Sequence, residues 1–344
     1  MNFRSRFLSI LPALVLGLGT LIGGQFVSLK LVEESKDVAR IKLESTEPLL
    51  FANRFMDADE WTINPFVKRA QKKALEDHER ILSEAEEVEK SIAKHSWIII
   101  WLAVALMGIT AVLYIKSPHF APAVIIAMSC AAMLFLRLGV DSPALEIQAY
   151  HQDLTFPVEL SGRRVYEELK DENIDLLLTK IRLGDYLDWV KDISIGFDQH
   201  FQGRIYYQYQ TKSIIESIEL LFNSGNDIVA VCILLFSVIF PLLKLIVNLW
   251  IAIIPRVGKW KVSRALVYLL AKWSMADVFV VALLLAYLSL KNMEQGVTVT
   301  SEVKLGFYFF LAYVLVSMIS GMITQYWSAR HYAWKDNAES FLNR

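Results

Sequence analysis

Apolar and charged residues in this chain come in blocks rather than in strict alternation. Six blocks are long and nearly free of charge: FLSILPALVLGLGTLIGG near the start, residues 97–116, residues 120–140, DIVAVCILLFSVIFPLLKLIVNLWIAIIP, ALVYLLAKWSMADVFVVALLLAYLSL, and LGFYFFLAYVLVSMISGMITQYW. An α-helix needs about 20 apolar residues to cross a bilayer. The pattern therefore predicts an all-α polytopic membrane protein with about six transmembrane helices. Residues 1–27 form the first span, or alternatively a signal peptide, since a basic head precedes the apolar run. Residues 97–116 form the second span, and residues 117–327 hold the other four around a polar insertion at 141–226. A short tail, 328–344, closes the chain.

Two long polar regions separate these blocks. In 28–96, Asn64 and Pro65 make a helix start signal. Ala74, His78, Ile81, Ala85, Val88 and Ile92 then recur in steps of four and three, a heptad-like stripe on one long helix. The segment LKLVEESKDVARIKLES is placed to extend the first span and pack against that helix as a hairpin, making a helical stalk. His78 reads as a polar member of the stripe rather than a metal ligand. In 141–226, LEIQAYHQDLTFPVEL alternates and predicts one or two strands. LLLTKIRLGDYLDWVKDI and TKSIIESIELLF read as amphipathic helices, either on the membrane surface or beneath the strands. GVTVTSEV, after the fifth span, is expected to pair with the strands near residue 150 in a small sheet.

Charge inside the apolar blocks changes the picture. Lys244 lies about 16 Å along its helix from the basic link RVGKWKVSR, and Asp277 about 19 Å, at about 1.5 Å rise per residue. Both positions fall near the bilayer midplane. A lone charge there costs roughly 2.5–3.5 kcal/mol on insertion scales, so such residues face a protein interior and pair. Lys244 and Asp277 are expected to face each other across the hairpin, with Pro241 bending the helix one turn earlier. Ser237, one heptad before Lys244, and Ser317 and Ser320 on the last span complete a candidate intramembrane polar site. Two readings stay open: the pair locks two helices together, or it titrates or rearranges as the protein changes state.

Composition narrows the function. The chain is 55% hydrophobic with a formal net charge of −1, which argues against a nucleic-acid binder. Its two cysteines, Cys130 and Cys232, both lie in apolar blocks and build neither a disulfide framework nor a zinc site. No nucleophile–base constellation, metal-ligand spacing or phosphate loop is present, so neither an enzyme nor a cofactor is expected. Arg256, Lys259, Lys261 and Arg264 lie without an acid in the short link between the fourth and fifth spans, and both termini are basic. The positive-inside rule then puts the link and both termini in the cytoplasm, and both long polar regions on the outer side.

FSVIFPLLKL followed by GKWKVSRALVYLLAKWSMADVFVVALL resembles the paraquat-inducible protein A family of bacterial inner-membrane proteins. The resemblance rests on Pro241 and Lys244 in a Pro-x-x-Lys helix and on Trp273, Met275, Asp277 and Val278 in a Trp-x-Met-x-Asp-Val helix. It extends over roughly 117–327. Better-known members carry two such membrane domains and cytoplasmic zinc ribbons, which are missing here. The resemblance implies an inner-membrane component that passes phospholipid between the bilayer and a tunnel formed by a periplasmic MCE-domain protein, with the stalk as a natural contact for that partner. The other class of function is a non-transporting scaffold or envelope-stress protein that recruits a partner through the stalk.

Overall fold

The computed structural model describes residues 3–57, 65–161, 194–254 and 297–342. Two very long helices dominate it. Helix α1 (Phe3–Thr46) and helix α3 (Pro65–Tyr114) have 44 and 50 residues, about 66 and 75 Å at helical rise. A hydrocarbon core is only about 30 Å thick, so each helix continues far beyond it. The continuing halves are the charged ones. The first span thus runs without a break into the stalk, and α3 runs from the stalk into the second span. A 3₁₀ turn (Glu47–Leu49) and a short helix α2 (Phe51–Met56) follow α1 at the stalk's far end.

Along the α3 stripe from His78 onward, His78, Ala85 and Ile92 are buried and Ile81 is half-buried, but Val88 is 45% exposed and Glu89 turns partly inward instead. Buried positions continue at Ser96, Ile99, Ala103, Leu106 and Thr110, still in steps of three and four. Spacing alone favours Val88, because it cannot register that Glu89 meets two lysines there.

Helix α4 (Phe120–Asp141) is the hub, buried over most of its surface and packed by α1, α3 and two later helices. Its last turn leads into strand β1 (Pro143–Ser161), which pairs antiparallel with β2 (Ser194–Ser213) along nearly its whole length. Strand β3 (Thr298–Val303) pairs antiparallel with Leu145–Tyr150 on the other edge of β1, giving the order β2-β1-β3. The pairing of β3 near residue 150 is as the sequence pattern suggested. Strand β2 was not anticipated, although IYYQYQT within it alternates. At the β1 bulge, Asp153 Oδ1 accepts a hydrogen bond from Gly203 N at 2.8 Å. Gly203 has φ +80° and lies under Leu75, a backbone and a space that only glycine fits without strain.

Helix α5 (Ile214–Asn223) starts at the end of β2 with a capping box: Ser213 Oγ accepts from Glu216 N, and Ser213 N donates to Glu216 Oε2. Then come α6 (Asp227–Leu234), a π-helical turn (Leu235–Ile239) and α7 (Phe240–Ile253), which form one span. Helix α8 (Leu305–Leu342) follows β3. Five helical segments among the described residues are long and apolar enough to cross a membrane, and the protein is a multi-pass membrane protein of mostly helical architecture. The expected span at 265–290 and the amphipathic segment at 176–193 lie outside the described residues.

All three strands join helices at the same end of the sheet, β1 and β3 the membrane helices α4 and α8, and β2 the short helix α5. That junction is tight, because a Cβ on Gly139 of α4 would come within 2.6 Å of Phe310 N on α8. Gly139→Ala is expected to destabilise by about 1–3 kcal/mol through overpacking against a backbone. Gly23→Ala, where the added methyl meets nothing within 4 Å, is expected to be neutral or slightly stabilising. Thermal unfolding midpoints of the two variants in one detergent check the contrast.

Candidate functional site

The polar site begins with backbone accounting on the span 227–253. Pro241 has no N–H to give to the carbonyl of Ser237, and in a regular helix its ring would strike that carbonyl. The π-helical turn immediately before it resolves the conflict. Phe240 N donates to Leu235 O, five residues back, which widens the turn ahead of the proline. The expected bend at Pro241 therefore takes the form of a π-helical turn.

Beyond that turn, one face of the helix is buried and polar. Ser237, Pro241, Lys244 and Asn248 follow one another in steps of four, three and four, all buried, while Leu242, Leu243, Ile246 and Trp250 point outward. Lys244 is 5% exposed. Its aliphatic stem rests on α8 at Gly321, where an added Cβ would lie 3.6 Å from Lys244 Cε. Ser317, Ser320 and Thr324 flank Gly321 on the same face of α8 and are fully buried. Thr324 donates to Ser320 O at 2.8 Å. The hydroxyls of Ser317 and Ser320 and the Asn248 amide nitrogen find no hydrogen-bond partner among the described residues.

The structure thus brings Lys244 against the face of α8 that carries Ser317 and Ser320, with Ser237 on the buried face of the Lys244 helix. Asp277, Trp273, Met275 and Val278 lie outside the described residues. Asn248 was missed, although a lone amide one turn after Lys244 in an apolar block is itself a signal.

A second cluster, also missed, lies where the stalk meets the sheet. Lys42 Nζ of α1 donates to Glu89 Oε1 of α3 at 2.8 Å and lies 3.8 Å from Glu146 Oε2 of β1. Lys304, between β3 and α8, reaches Glu146 at 2.9 Å, Glu302 at 3.0 Å and Glu89 at 3.2 Å. Lys42 and Glu146 are almost wholly buried. Burial by itself would lower the Lys304 pKa, but the carboxylates of Glu146, Glu89 and Glu302 outweigh it and hold the ammonium charged well above its usual range. Beside the cluster is a cavity of about 660 Å³ between α1, α3, the sheet and the first turn of α8. Nearer the far end of the stalk, His78 meets the Tyr206 hydroxyl at 3.4 Å, and Arg54 of α2 donates to Gln202 O at 3.0 Å. The stalk is therefore fastened to the sheet at several levels.

Lys42→Met is expected to cost about 3 kcal/mol, the low end for breaking a buried pair, since Lys304 still faces both carboxylates. Lys72→Met, which removes an exposed pair with Glu76, is expected to change stability by under about 1 kcal/mol. Denaturation of both variants in detergent checks the difference.

Residues 202–333 match the family model for paraquat-inducible protein A, and this stretch of the chain is assigned to that family. It runs from the second half of β2 through most of α8 and includes the Lys244 helix. The match is shorter than the resemblance seen along the sequence, and α4 and β1 lie outside it. No curated protein and no solved structure matches the chain.

Proposed function

We propose that this protein is the inner-membrane component of an intermembrane phospholipid transport system and hands lipid to a periplasmic MCE-domain partner. The observation that carries the reading is the buried Lys244 face, packed on the hydroxyl-bearing face of α8 within the stretch assigned to the paraquat-inducible protein A family. An intramembrane ionisable residue is a functional-site hypothesis by default, because holding a charge in hydrocarbon is costly and needs a reason. In this reading Lys244 and Asp277 form a polar element that changes its pairing as lipid passes, and Ser317 and Ser320 offer it alternative hydrogen bonds. The basic link at 256–264 and the basic termini set the orientation, with both termini cytoplasmic and the stalk and sheet periplasmic.

A scaffold reading draws on a different observation. At the stalk's far end Met56 is 82% exposed and Phe55 37%, an apolar tip suited to recruiting a partner without transport.

The test is purification of the tagged full-length protein from native membranes in mild detergent, with mass spectrometry of proteins and lipids, beside a lipid-transfer assay between membranes. Lys244→Met and Asp277→Asn are expected to keep membrane abundance within about twofold and to lower transfer at least tenfold. Ser320→Ala, which removes a hydroxyl without a described partner, is expected to leave stability within about 1 kcal/mol of the parent and to slow transfer. Recovery of the protein without phospholipid or an MCE-domain partner, with transfer unaffected by any of the three changes, would favour the scaffold.

A further inference from the structure

The cavity above the membrane carries chemistry that the intramembrane site does not use. Its inner wall is built from Lys42, Glu146 and Ile92, all at most 5% exposed, while Glu302 and Tyr308 at its edge are exposed. Four basic and four acidic side chains line it, so its net charge is zero. Glu146 Oε2 is buried and faces two ammonium groups, Lys304 Nζ at 2.9 Å and Lys42 Nζ at 3.8 Å. An ion cluster that served only to fasten the stalk would be expected to pack to the density of a protein interior. Here about 660 Å³ stays open beside it, within the usual range of small-molecule sites of roughly 300–1,000 Å³.

Its height narrows the occupant. Leu305 and Tyr308 in the first turn of α8 line the cavity, as do Ile92 and Ala93 of α3, about one turn before Trp97, where the apolar block of α3 begins. A molecule with its polar end in this cavity has its remainder at the bilayer surface. A balanced lining gives no net attraction to a simple anion or cation, whereas a ligand with one charge of each sign can face lysine with its anionic part and glutamate with its cationic part.

We propose that the cavity between stalk and sheet binds the zwitterionic head of a phospholipid, phosphate facing Lys42 and Lys304 and ammonium facing Glu146 and Glu89. This assignment rests on the reading that the protein handles phospholipid, and it locates the step at which head-group identity is sensed. The same chemistry is present in a free glycerophosphodiester without acyl chains, and the height of the cavity favours the lipid.

The full-length protein is incubated in detergent with equal amounts of phosphatidylethanolamine and phosphatidylglycerol bearing identical chains, and retained lipid is counted by native mass spectrometry. The parent is expected to retain phosphatidylethanolamine over phosphatidylglycerol by about fivefold or more. Glu146→Gln and Ala39→Phe are each expected to bring that ratio close to one. Ala39 lines the cavity, so its replacement by Phe fills space while leaving every ion pair in place, and it remains informative if Glu146→Gln fails to fold. A ratio near one in the parent, or a preference that survives Ala39→Phe, overturns the assignment. Soluble glycerophosphoethanolamine is expected not to displace the lipid at equal concentration, and equal displacement overturns the membrane source. Retention of no lipid at all defeats the transport reading as well, whereas retention without head-group preference defeats only this one.

Discussion

Hydrocarbon offers no hydrogen bonds, so every polar group carried into it must be satisfied from within the protein. This constraint orders the structure. Lys244, Asn248 and Ser237 are gathered on one face of their span and Ser317, Ser320 and Thr324 on one face of α8, while the outward positions stay apolar. Within the bilayer the hydrophobic effect gives little pull between helices, and close packing does the work instead. Gly139 and Gly321 show the consequence. One lets α4 approach the backbone of α8, and the other leaves room for the stem of a lysine.

Outside the membrane the balance of forces changes, and ion pairs take over the joining. Lys42, Glu89, Glu146 and Lys304 come from α1, α3, β1 and the β3–α8 connection, four pieces far apart along the chain. A buried cluster of this kind adds little net stability compared with a well-packed apolar one, but losing a member is costly because its partners stay buried. Such a joint specifies position. It fixes how the two long helices stand on the sheet, whose strands lead directly into the membrane helices α4 and α8 and into α5.

The parts of this fold that were legible in the sequence are those governed by local pattern. Apolar block length identified the described spans, the alternation of LEIQAYHQ identified β1, and GVTVTSEV identified its short partner. Lys244 stood out because a charge in an apolar block is conspicuous by itself. What could not be read was long-range: Glu89 replaces Val88 on the stalk seam only because Lys42 and Lys304 wait there, 47 and 215 residues away in sequence. The cavity beside them was illegible for the same reason, since its walls come from six separate elements. Strand β2 was missed because its alternating run is short and Gly196 and Gly203 break the apolar pattern before it. Pro241 was read correctly as a disturbance, but its remedy, a widened turn, is a backbone choice that no side-chain pattern encodes.

The π-helical turn at Leu235–Ile239 has an arithmetic consequence. It amounts to one residue inserted into an α-helix, and one residue corresponds to about 100° of rotation. The face on which Lys244 and Asn248 meet α8 is thus set by a phase offset upstream as well as by the identities of those residues. Closing the turn to regular α geometry without removing a residue would swing everything after it by that angle, carrying Lys244 and Asn248 off the face that meets α8. The composition of the helix would stay the same, yet the lysine would be turned toward lipid.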